Sequence, residues 1–286
     1  MIEYIKMIIL AVVCGLTMPL PTSSAAHYSV LSHAMNLTGD EKELGLYFGV
    51  FGIVFSLVIF IMLRKIYIKS IKALFTFDNE KLKNKKLTPY KPIVKNIFLS
   101  IIPSLVLFIP TSKDTIILDY FDKFLTSNSL YLVGVACVIN ALVLVVAIWY
   151  TKQQSNVVKR VSDTKSVLRM SVYQLVSYVV PGFSHVSSGG VNMLISDVNS
   201  RVIIREVYLY LAPQMLIVSI VKVLRAVLSD VIVDIVPLAI AAVVFAVAAF
   251  ICVHLVGKFN VRKLFPFFAV YSGLLGVVAV LVTFII

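Results

Sequence analysis

Two short stretches carry the residues whose types and spacing could do chemistry. The first reads Gly15-Leu16-Thr17-Met18-Pro19-Leu20-Pro21-Thr22-Ser23-Ser24-Ala25-Ala26-His27. The second reads Pro181-Gly182-Phe183-Ser184-His185-Val186-Ser187-Ser188-Gly189-Gly190. Each joins a helix-breaking proline to hydroxyl side chains and one histidine. A proline break frees backbone groups, and a helix restarting beyond it offers N–H groups and a positive dipole end to an anion such as phosphate. The plainer reading of the same letters is a turn capped by Ser or Thr. The two stretches share one logic, so His27 and His185 are expected at matching places in the two halves of the chain. Histidine inside a membrane is costly and by default a site hypothesis.

The elements that hold these stretches are membrane elements. Of 286 residues, 60% are hydrophobic and 14% charged, against about a quarter charged in a soluble domain. Mean hydropathy is +0.98. Long apolar runs fall near 44–63, 97–110, 130–150, 207–227, 235–256 and 264–286. Two further hydrophobic segments, 2–36 and 171–196, are interrupted at the prolines and hydroxyls above. Neither has the uninterrupted length of about 20 residues that a span needs. Irregular backbone at membrane depth is tolerated only against protein or a watery cavity, and paired interruptions in two halves point to a binding site where repeats meet.

Net charge is +12, but the cations sit in short loops between apolar runs, so membrane topology explains them better than nucleic acid. Lys and Arg crowd 64–95, 151–169 and 257–263, whereas Asp40, Glu41, Glu43, Asp114, Asp119, Asp122, Asp230 and Asp234 mark the other connections. The positive-inside rule then places both termini outside. Segment 2–36 enters and leaves from the outside, and 171–196 from the inside. The expected fold is all-α and polytopic: about six transmembrane helices plus two re-entrant helical hairpins in inverted repeats, 1–150 and 151–286, within one membrane domain. Lys6, an apolar run and Ser24-Ala25-Ala26 also have the outline of a cleavable signal; the prolines inside the supposed cleavage region and the polytopic remainder argue for a retained segment.

Other polar residues take ordinary roles. Cys14, Cys137 and Cys252 stand singly in apolar runs, without metal-ligand or disulfide spacing. Asn140, Ser100 and Ser104 read as interhelical packing groups, and His254 as an interfacial group. Lys222 and Arg225 read as side chains that snorkel from a helix end. The lysine-rich 64–95 loop reads as a solvated cytoplasmic loop, near enough to touch anionic headgroups.

Gly15-Leu16-Thr17, Leu20-Pro21, Ser23-Ser24 and His27 resemble the first signature of the undecaprenyl-diphosphate phosphatases, the bacitracin-resistance family, which runs E-G-L-T-E-x-L-P-x-S-S-x-G-H. Pro181-Gly182-Phe183-Ser184 resembles the start of the second, P-G-x-S-R-S-G. Leu211-Ala212-Pro213 and Pro266 through Tyr271 resemble later stretches. The resemblance implies six spans, two re-entrant hairpins and removal of the terminal phosphate from a polyprenyl diphosphate lipid of cell-envelope synthesis. It also implies a divalent cation such as Mg or Ca. Here the two signature glutamates fall at Cys14 and Met18, the arginine at His185, and a glutamine of the next helix at Val50. No Asp or Glu lies between residues 4 and 39 or between 164 and 196, so no metal ligand is assigned. By the resemblance, Ser24 and His27 are the retained catalytic candidates, with His185 standing in for arginine. Thr22, Ser23, Ser184, Ser187 and Ser188 are the phosphate-binding candidates. A non-hydrolytic polyprenyl-phosphate binder or transporter is the alternative. The expected partners are that lipid and the surrounding membrane lipids; nucleic acid is not one, and a homo-oligomer is left open.

Overall fold

In the computed structural model, residues 2–35, 37, 41–75, 90–126, 130–152, 162–229 and 234–285 are described. The middle of the lysine-rich loop, 76–89, lies outside them, as does 153–161. Among the described residues the secondary structure is helical apart from two isolated bridges. In chain order the helices are α1 (Ile2–Thr17), α2 (Ser24–Ala34), α3 (Glu41–Met62), α4 (Arg64–Phe75), α5 (Lys91–Ile101), α6 (Asp119–Thr126), α7 (Leu130–Lys152), α8 (Thr164–Val179), α9 (His185–Ile195), α10 (Ile203–Leu228), α11 (Ile235–Val256) and α12 (Val261–Ile285). A 3-10 segment, Ile102–Phe108, continues α5.

Among the described residues, six helices are long and apolar enough to cross a membrane: Glu43–Met62, Lys91–Phe108, Leu130–Thr151, Ile203–Leu228, Ile235–Val256 and Val261–Phe284. They match the six apolar runs, and the protein is a multi-pass membrane protein. The second span begins earlier than the run at 97–110 suggests. It changes to 3-10 geometry at Pro103, whose ring cannot sit within an α-helical ladder without displacing the carbonyl before it. Pro213 and Pro266, by contrast, lie inside α10 and α12, which continue through them.

The interrupted segments form helix–break–helix hairpins, α1–α2 and α8–α9. With 16 residues, α1 and α8 each reach about 24 Å, short of a bilayer core of about 30 Å. The second hairpin is longer than the expected 171–196: α8 starts at Thr164, where Asp163 caps it by accepting from the Ser166 N–H at 2.8 Å. That start is polar, so hydropathy alone missed it.

Packing pairs elements from the two halves. Helix α3 lies along α10, and α7 along α12. The hairpin helix α1 lies on α11, as α8 lies on α5. Between α7 and α12 the backbones touch. A Cβ on Gly134 would meet the Gly276 carbonyl oxygen at 2.7 Å, and one on Gly276 would meet that of Gly134 at 2.6 Å. In lipid, where apolar burial gives helices little reason to associate, such close backbone approach is what small residues provide. The outward faces of α11 and α12 are apolar and suited to lipid: Val243, Val247, Phe267, Val270 and Leu274 are all exposed. After α3 the chain turns into α4, whose Ile68, Ile71 and Leu74 are exposed beside Lys65, Lys69 and Lys72, the composition of a helix lying at a membrane surface.

A Gly134→Leu substitution is expected to lower the thermal midpoint of the detergent-solubilised protein clearly, since overpacking costs about 1–3 kcal/mol. Val278→Leu, on the exposed face of α12, is expected to leave the midpoint unchanged.

Candidate functional site

The site begins with two helix breaks. Helix α1 ends at Thr17 because Pro19 and Pro21 cannot donate to a helical ladder. The chain turns, with the Leu20 N–H donating to the Thr17 carbonyl at 3.0 Å, and restarts as α2 with Ser23 as its cap. The Ser23 hydroxyl accepts from the Ala26 N–H at 3.2 Å. In the second hairpin Val180, extended before Pro181, closes α8. Gly182 then takes φ +116, a conformation costly for any other residue. A Cβ there would also stand 2.5 Å from that of Ala136 on α7. Ser184 caps α9, accepting from the Val186 and Ser187 N–H groups, both at 3.2 Å.

The two caps also join the hairpins to each other. Ser23 Oγ accepts from the Gly182 N–H at 3.1 Å, and Ser184 Oγ donates to the Leu20 carbonyl at 2.8 Å. Each tip lends its capping hydroxyl to the other tip's irregular backbone. With Ser23 and Ser184 as equivalent caps, Ser24 matches His185, and His27 matches Ser188. The expected equivalence of His27 and His185 is therefore incorrect: one histidine lies four residues past its cap and the other directly after it.

That register sends the two histidines to different surroundings. His27 Nδ1 lies 2.6 Å from the Ser23 carbonyl, which can only accept, so Nδ1 donates. Nε2 lies 2.7 Å from the Tyr271 hydroxyl on α12, and the two rings stack at 5.6 Å. Both nitrogens are engaged. Among the described residues, His185 instead leaves Nδ1 buried without a hydrogen-bond partner, its ring 4.2 Å from that of Tyr178. The Tyr178 hydroxyl is likewise buried and has no partner among the described residues.

A pocket of about 550 Å³, its mouth included, lies between the hairpin tips and helices α3, α6 and α10. Of the candidates, Thr22, Ser23, Ser24, Ser184 and His185 line it. His27, Ser187 and Ser188 stand behind that wall. The Ser187 hydroxyl donates to Asn140 Oδ1 at 2.5 Å. Ser188 shares a 2.9 Å hydrogen bond with Ser177, itself a lining residue. Asn140 also reaches Ser272 at 3.4 Å, an interhelical role as expected.

Sequence reasoning missed Lys222 and Tyr178. Lys222 does not snorkel: its side chain is 8% exposed, and its ammonium lies 2.7 Å from Asp122 Oδ1 and 4.4 Å from the Phe121 ring centroid. Arg225 is likewise held, 2.7 Å from Asp119 Oδ2. The spacing of three on both helices forms two ionic rungs that pin α6 to α10. The available signal was a lysine within an apolar span with an aspartate triplet on the same expected side of the membrane. Tyr178 had no signal, since its unpaired hydroxyl is a property of its surroundings.

A family model described as bacitracin resistance protein BacA matches residues 7–278. No curated protein matches the chain. The divalent cation implied by that family does not fit these residues. Cys14 is a buried thiol, Met18 presents a thioether to the pocket, and Asp122 is tied to Lys222 outside the lining. Among the described residues, no three His, Cys, Asp or Glu side chains are grouped to hold a metal, and a hard cation wants several oxygen ligands.

Tyr271→Phe is expected to leave His27 Nε2 buried without a partner. That costs about 1–3 kcal/mol, read as a lowered thermal midpoint. His27→Asn on the Tyr271→Phe background, removing the orphaned ring, is expected to cost less than the sum of the two single changes.

Proposed function

The chain belongs to the bacitracin resistance protein BacA family, and from that premise we propose that it takes the headgroup of a polyprenyl phosphate or diphosphate lipid into the pocket between its hairpin tips. The observation that carries this reading is the meeting of two helix N-termini at one pocket. Caps occupy the N–H groups of Ala26, Val186 and Ser187. The N–H groups of Ser24, Ala25 and His185 have no recorded partner among the described residues, and all three residues line the pocket. Two dipole ends and several hydroxyls converge where a phosphate would be solvated by protein. Phe48, Phe183 and Met215 in the same wall suit the first isoprene units of the lipid.

In this reading the chain binds the lipid headgroup without the carboxylate-and-metal hydrolysis of its family. The pocket offers donors and a cation but no carboxylate, and His27 is turned to Tyr271. Matched packing of α3 on α10 and of α7 on α12 supports treating 1–150 and 151–286 as inverted repeats. Such repeats can rock about a shared site, so carriage of the lipid across the bacterial cytoplasmic membrane belongs to the same reading. Lys65, Lys69, Lys72, Lys258 and Arg262 support an inner face opposite Asp119 and Asp122. The pocket then opens outward and both termini lie outside.

Hydrolysis at Ser24 is a second reading, favoured by the unpartnered His185 Nδ1 in the same pocket. Ser24 Oγ would attack the terminal phosphorus and pass its proton to His185. The bond to the lipid monophosphate would break, and water would then release inorganic phosphate from the serine.

The deciding measurement is phosphate release from undecaprenyl diphosphate by purified protein, with magnesium and with EDTA, beside lipid binding. Binding in EDTA with no release is the expected result. Release that needs magnesium would overturn the reading. Metal-independent release abolished by both Ser24→Ala and His185→Ala would establish the second reading.

A further inference from the structure

Resting on that reading, we propose that Lys222 is the resident counter-cation of the headgroup site, so that lipid phosphate binds against its ammonium without a divalent metal. Lys222 and Phe121 line the pocket, and Asp122 lies behind them. An ammonium has three N–H donors. Among the described residues the only acceptor recorded for this one is Asp122 Oδ1 at 2.7 Å, with the Phe121 ring 4.4 Å away. Donors therefore remain for an oxygen arriving in the pocket.

The neighbouring groups point the same way. Among the described residues, the hydroxyl of Tyr178, a side chain 5% exposed, and the Nδ1 of His185 have no hydrogen-bond partner. Both side chains line the pocket that Lys222 enters. A buried polar group without a partner is uncommon and calls for a ligand, ion or water. A phosphate oxygen beside Lys222 would supply an acceptor for the ammonium. Asp122 fits this role too. A lysine alone in a low-dielectric site is costly, and its carboxylate partner keeps the charge in place when the pocket is empty. Gly52 and Ser219 leave the α3–α10 seam narrow beside it, since a Cβ on Gly52 would collide with the Ser219 hydroxyl. The ion pair with Asp122 holds the ammonium at the pocket wall.

The test is binding of undecaprenyl phosphate and undecaprenyl diphosphate to the purified full chain in EDTA, with size-exclusion profile and thermal midpoint as folding controls. Removing one partner of a buried pair can unfold the chain, so the informative variant is Lys222→Met with Asp122→Asn, which removes both charges. The expected result is a folded protein whose affinity for both lipids falls about 10–100-fold, the loss of a charge-assisted hydrogen bond to an anion. Lys222→Arg is expected to retain binding within a few fold. Wild-type affinity in the folded double variant would overturn the role of Lys222 and leave the proposed lipid binding standing. Binding that appears only when magnesium is added would overturn it as well. Failure of the wild-type chain to bind either lipid, with or without metal, would take down the proposed function and this inference together.

Discussion

The exchange of hydroxyls between the hairpin tips holds the site together. Two stretches of non-helical backbone lie deep in a protein that faces lipid, where an unpaired N–H or carbonyl has no water to turn to. Ser23 and Ser184 each meet that demand twice. Within its own helix each caps the first turn, and across the gap each bonds the other tip. The remaining N–H groups of those first turns can then face a cavity. Without the exchange, the tips would need hydration or separation, and the pocket between them would lose its floor.

A second constraint is charge in a low-dielectric setting. Lys222 and Asp122 are both largely buried and 2.7 Å apart. Breaking such a pair by removing one partner costs about 3–5 kcal/mol, although replacing both can be neutral. The pair and its neighbour Arg225–Asp119 fix a short amphipathic helix, α6, against a spanning one. Phe121, between the two aspartates, is placed by that ladder against the lysine and over the pocket. Charge, packing and site geometry are here one arrangement.

The fold was legible because its determinants are additive. Hydropathy over 20 residues survives local errors, so six spans and two interrupted segments could be read from the chain, and the letters of the breaks identified the family. What failed depended on single residues. His27 and His185 look equivalent as letters near a break, but helix geometry counts from the cap, and they fall at different turns. The start of α8 at Thr164 is polar, so it carries no hydropathic signal, only the capping Asp163. Lys222 near the end of an apolar run is compatible with snorkelling or with an inward ion pair. Nothing local distinguishes them, because its partner lies 100 residues away in sequence. The departures Cys14, Met18 and His185 from the family signature were visible at once; what they leave in the pocket required the structure.

The sequence separation of the tip bonds has a consequence for how the chain is made. Ser23 and Gly182 are 159 residues apart, and Leu20 and Ser184 are 164 apart. Contacts so distant carry a loop-closure cost before they form. While the ribosome is still working through the middle of the chain, the first hairpin is complete in length but its polar tip is unmatched. Until residue 184 emerges, the Leu20 carbonyl must be satisfied by water, lipid headgroups or the insertion machinery. The breaks can close on each other, and on the pocket between them, only after the second hairpin has been made.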